Sequence, residues 1–270
     1  MIILKSKGEL DAMAEAGKIA ADVLRAMQSA AVIGVTTKEL DDLAISEFEK
    51  RGARPALLGY KPPFMREAYQ FATCISINEE AIHGLPSSRA LQDGDTIGLD
   101  TVAELDGWYA DTAITVQIGS KDDRTEMLLL VTEDALLGGI KGALSGRRIG
   151  DISATIGDYV KRYKFTLLKE FRGHGIGRCI HELGLDVANE GSRGTGLKLM
   201  PGMTFCIEPM VSAGSPNIKF RDDDPWTVLT KDGSKAAHFE HTVAVTEDGP
   251  IVLTLPSDVS LESFLLGRQA

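Results

Sequence analysis

Gly94-Asp95-Thr96-Ile97-Gly98-Leu99-Asp100 and Gly202-Met203-Thr204-Phe205-Cys206-Ile207-Glu208 share one pattern, Gly-x-Thr-x-x-aliphatic-carboxylate, set 108 positions apart. A second matched pair follows. Asp111-Thr112-Ala113-Ile114-Thr115-Val116 and Glu240-His241-Thr242-Val243-Ala244-Val245 each open an apolar, strand-forming run with an acid. The duplication extends upstream. Leu10, Met13, Gly17, Ala20, Leu24 and Met27 recur at helical spacing and predict a helix over about 7–29. Thr36-Thr37-Lys38-Glu39 has the form of a capping box, and Leu40, Leu43, Ala44 and Phe48 continue one apolar face as far as Gly52. After Lys121 the order restarts with helices over about 122–144 and 150–164, the second carrying Ile152, Ile156, Tyr159 and Val160 on one side. Strands are expected at 73–78, 96–102 and 112–118, then at 203–207, 227–229 and 242–246, with turns at Asp93-Gly94 and Asp106-Gly107. A repeat of ~110 residues is too long for a solenoid period. The expectation is an α+β fold duplicated about a pseudo-twofold axis, with half-repeats of about 1–121 and 122–255 inside a single domain spanning 1–270.

An acid at the end of an apolar strand is costly to bury alone. Taken singly, each of these acids reads as a strand-edge residue facing water. Asp100, Asp111, Glu208 and Glu240 in matched places bring four negative charges to one region, where like charges destabilise the fold unless cations neutralise them. Two divalent ions supply that balance, and carboxylates can bridge metals ~3.5–4 Å apart. Arg172-Gly173-His174-Gly175-Ile176-Gly177-Arg178 adds one imidazole among three glycines, which permit tight turns and close backbone approach. It is not a dinucleotide loop, because Arg178 stands where the last glycine of that fingerprint belongs. Imidazole among carboxylates suits Mn, Fe, Co or Zn. His181-Glu182 begins a zincin helix motif but lacks its second histidine. His83 and His181 are otherwise lone histidines, structural by default and candidates for substrate contact beside a metal centre. No nucleophile elbow or phosphate loop is present.

Composition narrows the class. The 270 residues are 43% hydrophobic, enough for a sizeable core, and 29 basic against 39 acidic side chains leave a net charge of −10, which disfavours a DNA partner. Cys74, Cys179 and Cys206 are far apart with no Cys-x-x-Cys, so neither a disulfide framework nor a thiolate zinc site is expected. The longest apolar run, Met127–Val131, is five residues, and the N-terminus has no signal-peptide core. A cytoplasmic protein without a membrane partner is expected.

These residues together resemble the type I methionine aminopeptidases, members of the pita-bread, creatinase-like metallopeptidases. The likeness runs from the first helix to about Gly249. Cys74-Ile75-Ser76-Ile77-Asn78-Glu79 with His83-Gly84 is similar to that family's opening strand. Asp100 and Asp111 match its paired aspartates, Gly173–Gly177 with His181-Glu182 its histidine segment, and Gly202–Met210 and Phe239–Thr242 its two glutamate motifs. The resemblance implies a pita-bread fold, with duplicated helices around a curved antiparallel sheet. It implies two divalent metal ions held by Asp100, Asp111, His174, Glu208 and Glu240. Metal-bridged hydroxide would then attack the first peptide bond, removing initiator methionine from nascent polypeptides at the ribosome. Glu208 would serve as general base, His181 would polarise the scissile carbonyl, and His83 would contact the scissile nitrogen. Tyr60, Cys74, Ile180 and Trp226 would join both histidines in binding substrate, and the enzyme would act as a monomer.

Three features depart from the family. The segment from Gly59-Tyr60 to Cys74 is longer than usual, with Pro62-Pro63-Phe64-Met65-Arg66 as an inserted loop. Ile180 replaces the usual Phe, and His238 stands where Gln is common. The first two bear on how strictly Met is preferred over Leu, and all three leave the hydrolytic machinery intact. Because Ile2 is not small, the family's preference implies that this chain keeps its own Met1. The enzymatic rival is a prolidase or proline aminopeptidase, disfavoured because the first helix leaves no room for their additional N-terminal domain. A non-catalytic binding protein of the same fold is disfavoured because all five ligands are present.

Overall fold

The computed structural model describes residues 2–63 and 65–266; Met1 and Phe64, both named above, lie outside them. Ser6 starts α1 (Lys7–Ala30) with a capping box, its backbone N–H and hydroxyl both donating to Glu9 Oε2 at 2.8 Å. Thr36 repeats the device at α2 (Thr37–Lys50), accepting from the Glu39 N–H at 3.2 Å. The first half continues through β1 (Arg54–Pro55), β2 (Thr73–Ile77), β3 (Glu80–Ile82), β4 (Thr96–Leu105) and β5 (Trp108–Gln117). Asp106 and Gly107 join β4 to β5 with φ of 50° and 77°. Positive φ at both loop residues matches the twist of the flanking strands, which is why Asp-Gly makes this hairpin.

The second half begins with α3 (Asp123–Gly142), capped by Asp122, and α4 (Ile149–Arg162). Short strands follow: β6 (Thr166–Leu167), β7 (Arg172–Gly175), β8 (Glu182–Ala188), β9 (Thr204–Ile207) and β10 (Met210–Ser212). They continue as β11 (Ile218–Arg221), β12 (Asp224–Thr230), β13 (Ala236–His238), β14 (Glu240–Thr246) and β15 (Gly249–Val252), before α5 (Leu261–Leu266).

One antiparallel sheet runs β1-β4-β5-β14-β9-β7-β8, with β2 on β4 and β15 on β14. At its centre β5 and β14, the acid-opened strands of the two halves, pair at Glu240↔Ala113 and His241↔Thr112. That register maps onto itself when 111–113 exchange with 240–242, so the pseudo-twofold passes through the Thr112–His241 pair. Each helix pair closes a core against the sheet. Leu24, Leu40, Phe48, Ile75 and Leu99 belong to the first and Leu128, Leu136, Ile156, Phe205 and Ile207 to the second, while Ile114 packs against both. Among the described residues no helix is long and apolar enough to cross a membrane.

Short strands such as β1, β3, β6, β8 and β15 are not among those expected from the sequence, and two further differences bear on the site. Residues 172–175 form a strand rather than a turning loop. Gly173 packs so closely on β9 that a Cβ there would lie 2.1 Å from the Cys206 carbonyl oxygen, so close approach is what this glycine supplies. The halves also differ: two residues join the acid strands in the first, whereas the second inserts residues 208–239, most of which build the small sheets β13-β10-β6 and β11-β12-β3.

Candidate metal centre

The repeat delivers its acids to the axis. Asp100 lies on β4 opposite Cys74 of β2, Asp111 is on β5, Glu208 follows β9 and Glu240 opens β14. Hydrogen bonds fix the backbone under them. Thr242 Oγ1 accepts from the Asp111 N–H and donates to the Asp111 carbonyl, both at 2.9 Å, and Asn189 Nδ2 donates to the Glu208 carbonyl at 3.0 Å. His174 arrives on β7 with Nε2 3.9 Å from Asp111 Oδ2 and 3.6 Å from Glu208 Oε1. Its Nδ1 lies 3.1 Å from the Gly175 carbonyl, which can only accept, so the ring proton sits on Nδ1 and Nε2 offers a lone pair.

The electrostatics are those of a cation site. Asp111, Glu208, Glu240 and His174 are buried, and Asp100 is half-buried. Burial pushes every one of these carboxyls up, Asp100 to about 7. Mutual repulsion adds to it: Glu240 and Asp100 raise Asp111, Asp111 and Asp100 raise Glu208, and Glu208 and Asp100 raise Glu240. Burial takes His174 down to about 3, keeping it neutral. Asp111 Oδ1 and Glu240 Oε1 are buried with no hydrogen-bond partner among the described residues. Unpaired oxygens on crowded, repelling carboxylates are costly unless a cation satisfies them. Ligand atoms of Asp111, His174, Cys206 and Glu240 lie within 4.8 Å of one another, as do those of Glu208, His238 and Glu240. This donor set fits divalent ions.

The residues named for substrate contact fall into two groups. His181 is exposed, its ring 4.0 Å from that of His174, while Tyr60 stacks on it at 5.6 Å and places its hydroxyl 2.7 Å from Nδ1. Ile180 is buried beside it in sequence. The Tyr60 segment is pinched shut at Tyr69, whose N–H donates to the Tyr60 carbonyl at 2.8 Å. Tyr69 in turn meets Trp226 edge-on at 5.1 Å and bonds the Gly84 carbonyl at 3.0 Å, beside His83. His83 holds φ 58°, a left-handed conformation uncommon for a side-chain-bearing residue, against the edge of Phe171 at 5.7 Å. Burial, and then His181, lower its pKa to about 4. Cys74 is buried, and burial pushes its thiol up.

The family model of metallopeptidase family M24 matches residues 11–247. The chain belongs to metallopeptidase family M24. Among M24 relatives, methionine aminopeptidase of Aquifex aeolicus is 42% identical over 257 residues, 94% of this chain and 98% of that protein. Methionine aminopeptidase 1 of Bacillus subtilis is likewise 42% identical, over 94% of this chain and 99% of its own length. The crystal structure of methionine aminopeptidase from Thermotoga maritima superposes with a TM-score of 0.90 at 39% identity, covering 94% of this chain and 99% of that one. Prolidase from Pyrococcus furiosus matches at a TM-score of 0.71 and 22% identity, with 66% of its chain covered, and shares the fold. The M24 fold is thus the pita-bread fold that the family resemblance implied.

Two residues of the M24 centre carry no role in the sequence reading. Cys206 Sγ lies within the first ligand group, but burial pushes its thiol well up and keeps it protonated. His238 is the larger omission. Its Nε2 is buried, has no hydrogen-bond partner among the described residues, and lies 3.7 Å from both Glu208 Oε2 and Glu240 Oε2. The signal available was period two: alternate residues of extended chain share a face, so 238 and 240 can aim together.

Proposed function

We propose that this chain is a divalent-metal-dependent aminopeptidase that removes initiator methionine from polypeptides. The observation that carries the reading is the gathering of ligand atoms of Asp111, His174 and Glu240 within 4.8 Å of one another, with Asp111 Oδ1 and Glu240 Oε1 buried and partnerless among the described residues, in an M24 chain. Relatives matched over 94% of the chain bear the methionine aminopeptidase name, whereas the prolidase likeness, at 22% identity, speaks for the fold alone. Asp100, Asp111, His174, Glu208 and Glu240 are the proposed ligands of two ions drawn from Mn, Fe, Co or Zn. Ions held there supply Lewis acidity toward the scissile carbonyl and bring the pKa of water toward ~7.

The chain's own groups do the rest. Glu208 takes the proton of the attacking water as general base and returns it to the leaving amine. The Tyr60 hydroxyl lies 2.7 Å from Nδ1; when it donates there, the His181 proton is left on Nε2, where it can be given to the developing oxyanion. His83, held neutral by burial, contacts the scissile nitrogen. Tyr60, Cys74, Ile180 and Trp226 shape the site for the methionine side chain. The substrates are N-termini of nascent polypeptides at the ribosome, and the chain works as a cytoplasmic monomer. It is one catalytic domain of two half-repeats, about 1–121 and 122–255; the shared sheet and the double packing of Ile114 support that unity.

The test is cleavage of Met-Ala-Ser by chelator-stripped protein before and after Mn, Fe, Co or Zn is returned. Metal-free protein should be inactive and reloaded protein active, and Glu208→Gln should fold while losing at least ~10²-fold in kcat. Full activity without metal, or in the Gln variant, refutes the mechanism. Preferential cleavage before proline moves the chain to the prolidase reading.

A further inference from the structure

We infer that His238 is itself a metal ligand, a sixth protein donor that gives the centre a second imidazole. The inference rests on the metallopeptidase reading of the same site and deepens it.

Three observations carry it. The first is distance. His238 Nε2 stands 3.7 Å from Glu208 Oε2 and 3.7 Å from Glu240 Oε2, beyond hydrogen-bond range for both. His174, the imidazole already placed among the ligands, stands 3.6 and 3.9 Å from its carboxylates, so the two rings relate to the acids alike. Ligand bonds of ~2.0–2.2 Å place neighbouring donors ~3.0–3.5 Å apart, so a few tenths of an ångström of closure would bring His238 to ligand spacing from each acid, and the ligand atoms of all three residues already lie within 4.8 Å of one another. The second is division of labour at Glu208. Its Oε1 faces His174 and its Oε2 faces His238, one oxygen toward each imidazole. The third is rigidity. Thr115 Oγ1 accepts from the His238 N–H at 2.8 Å and donates to the His238 carbonyl at 2.7 Å. Thr242 clamps Asp111 in the same two-bond manner. On backbone held this firmly, a buried Nε2 without a partner among the described residues departs from the general pairing of buried polar atoms, and an ion shared with the two acids would satisfy it.

The chemistry has a direction. Replacing an amide oxygen by imidazole nitrogen favours the later first-row ions, so this centre should discriminate more strongly for Zn and Co against Mn than the same site with glutamine. A residue that merely steadied Glu208 by hydrogen bonding would leave that discrimination unmoved, because Gln can donate the same bond.

The experiment uses the full chain, stripped and reloaded with Co(II). Hyperfine-shifted imidazole proton resonances should arise from two coordinated histidines in the unmodified protein. His238→Gln should lose one set and keep the other. In parallel, Zn and Mn titrations of the two forms should show the Gln variant losing at least ~10-fold in Zn affinity at one of two sites, and less for Mn. A single coordinated histidine in the unmodified chain overturns the inference whatever the variant does, so misfolding of the variant cannot shelter it. An unchanged Zn-to-Mn ratio in folded His238→Gln overturns it as well. Two bound metals and Met-Ala-Ser cleavage with one coordinated histidine leave the aminopeptidase reading standing; absence of any bound metal removes both.

Discussion

Asp100→Asn is expected to stabilise the metal-free chain and to weaken the metal-loaded one, and the size of the first effect follows from the site. Burial raises the Asp100 carboxyl from 3.8 to about 7. A carboxylate raised by folding costs nothing below about 3.8, where folded and unfolded chains both hold the proton. Its cost grows as pH climbs toward 7 and is constant above that, the reverse of an acid held down by a salt bridge. A displacement of about 3 pH units at ~1.4 kcal/mol each amounts to roughly 4 kcal/mol at pH 8, and to less than half of that at pH 5. Asn keeps the shape of Asp and can still meet Cys74 and Asp111 without the charge. At ~2 °C per kcal/mol for a chain of this size, metal-free Asp100→Asn should melt ~8 °C above the unmodified chain at pH 8 and ~3 °C above it at pH 5. Saturating Mn reverses the order, because the variant has lost a ligand and gains less from binding. Thermal unfolding of both forms, stripped and loaded, across pH 4–8 is the assay. A metal-free variant that melts at or below the unmodified protein at pH 8, or a gap that does not widen with pH, refutes the account in which burying the Asp100 charge costs stability.

Other perturbations separate the roles of neighbouring residues. His83→Ala and His181→Ala should keep stoichiometric metal while kcat on Met-Ala-Ser falls at least ~10-fold; loss of metal from either would make it a ligand instead. Gly173→Ala forces a Cβ to within 2.1 Å of the Cys206 carbonyl oxygen, so β7 must shift and carry His174 with it. Calorimetry should show a lowered Tm and titration a weakened metal site, and normal values for both would show the close approach to be dispensable. Ile180→Phe should raise the ratio of kcat/KM for Met-Ala-Ser over Leu-Ala-Ser by up to ~10-fold or leave it unchanged, since small differences in apolar fit are worth ~10–200-fold. A fall in that ratio refutes the expectation that an aromatic at 180 fits methionine better, and an unmodified chain that prefers Leu removes the methionine assignment.

Local order was legible wherever one short stretch carried the whole signal. The Thr36–Glu39 capping box, the periodic face of α1 and the Asp106-Gly107 hairpin are each complete within a few residues, and the structure forms all three. The four acids were legible for a different reason. The chain writes its strand pattern twice, and two copies of a strand that each deliver an acid to the same place imply a shared, charge-crowded axis before any coordinate is known.

What the chain alone could not say depends on where distant segments meet. The His174 strand looks like a loop because its glycines answer to Cys206 and Glu182 on other strands, not to a local turn. Tyr60 and His181 are 121 positions apart, and nothing in either neighbourhood announces the hydrogen bond between them. His238 shows the limit most clearly. The 208–239 excursion leaves the main sheet after Ile207 and rejoins it at Glu240, with His238 still on a small sheet, so the face that residue presents is set by its pairing with Met210 and its clamp to Thr115. Periodicity and capping are short-range physics, carried by neighbouring residues whatever surrounds them. The last coordination partner of a buried centre is set by packing across the whole sheet, and only the folded chain decides it.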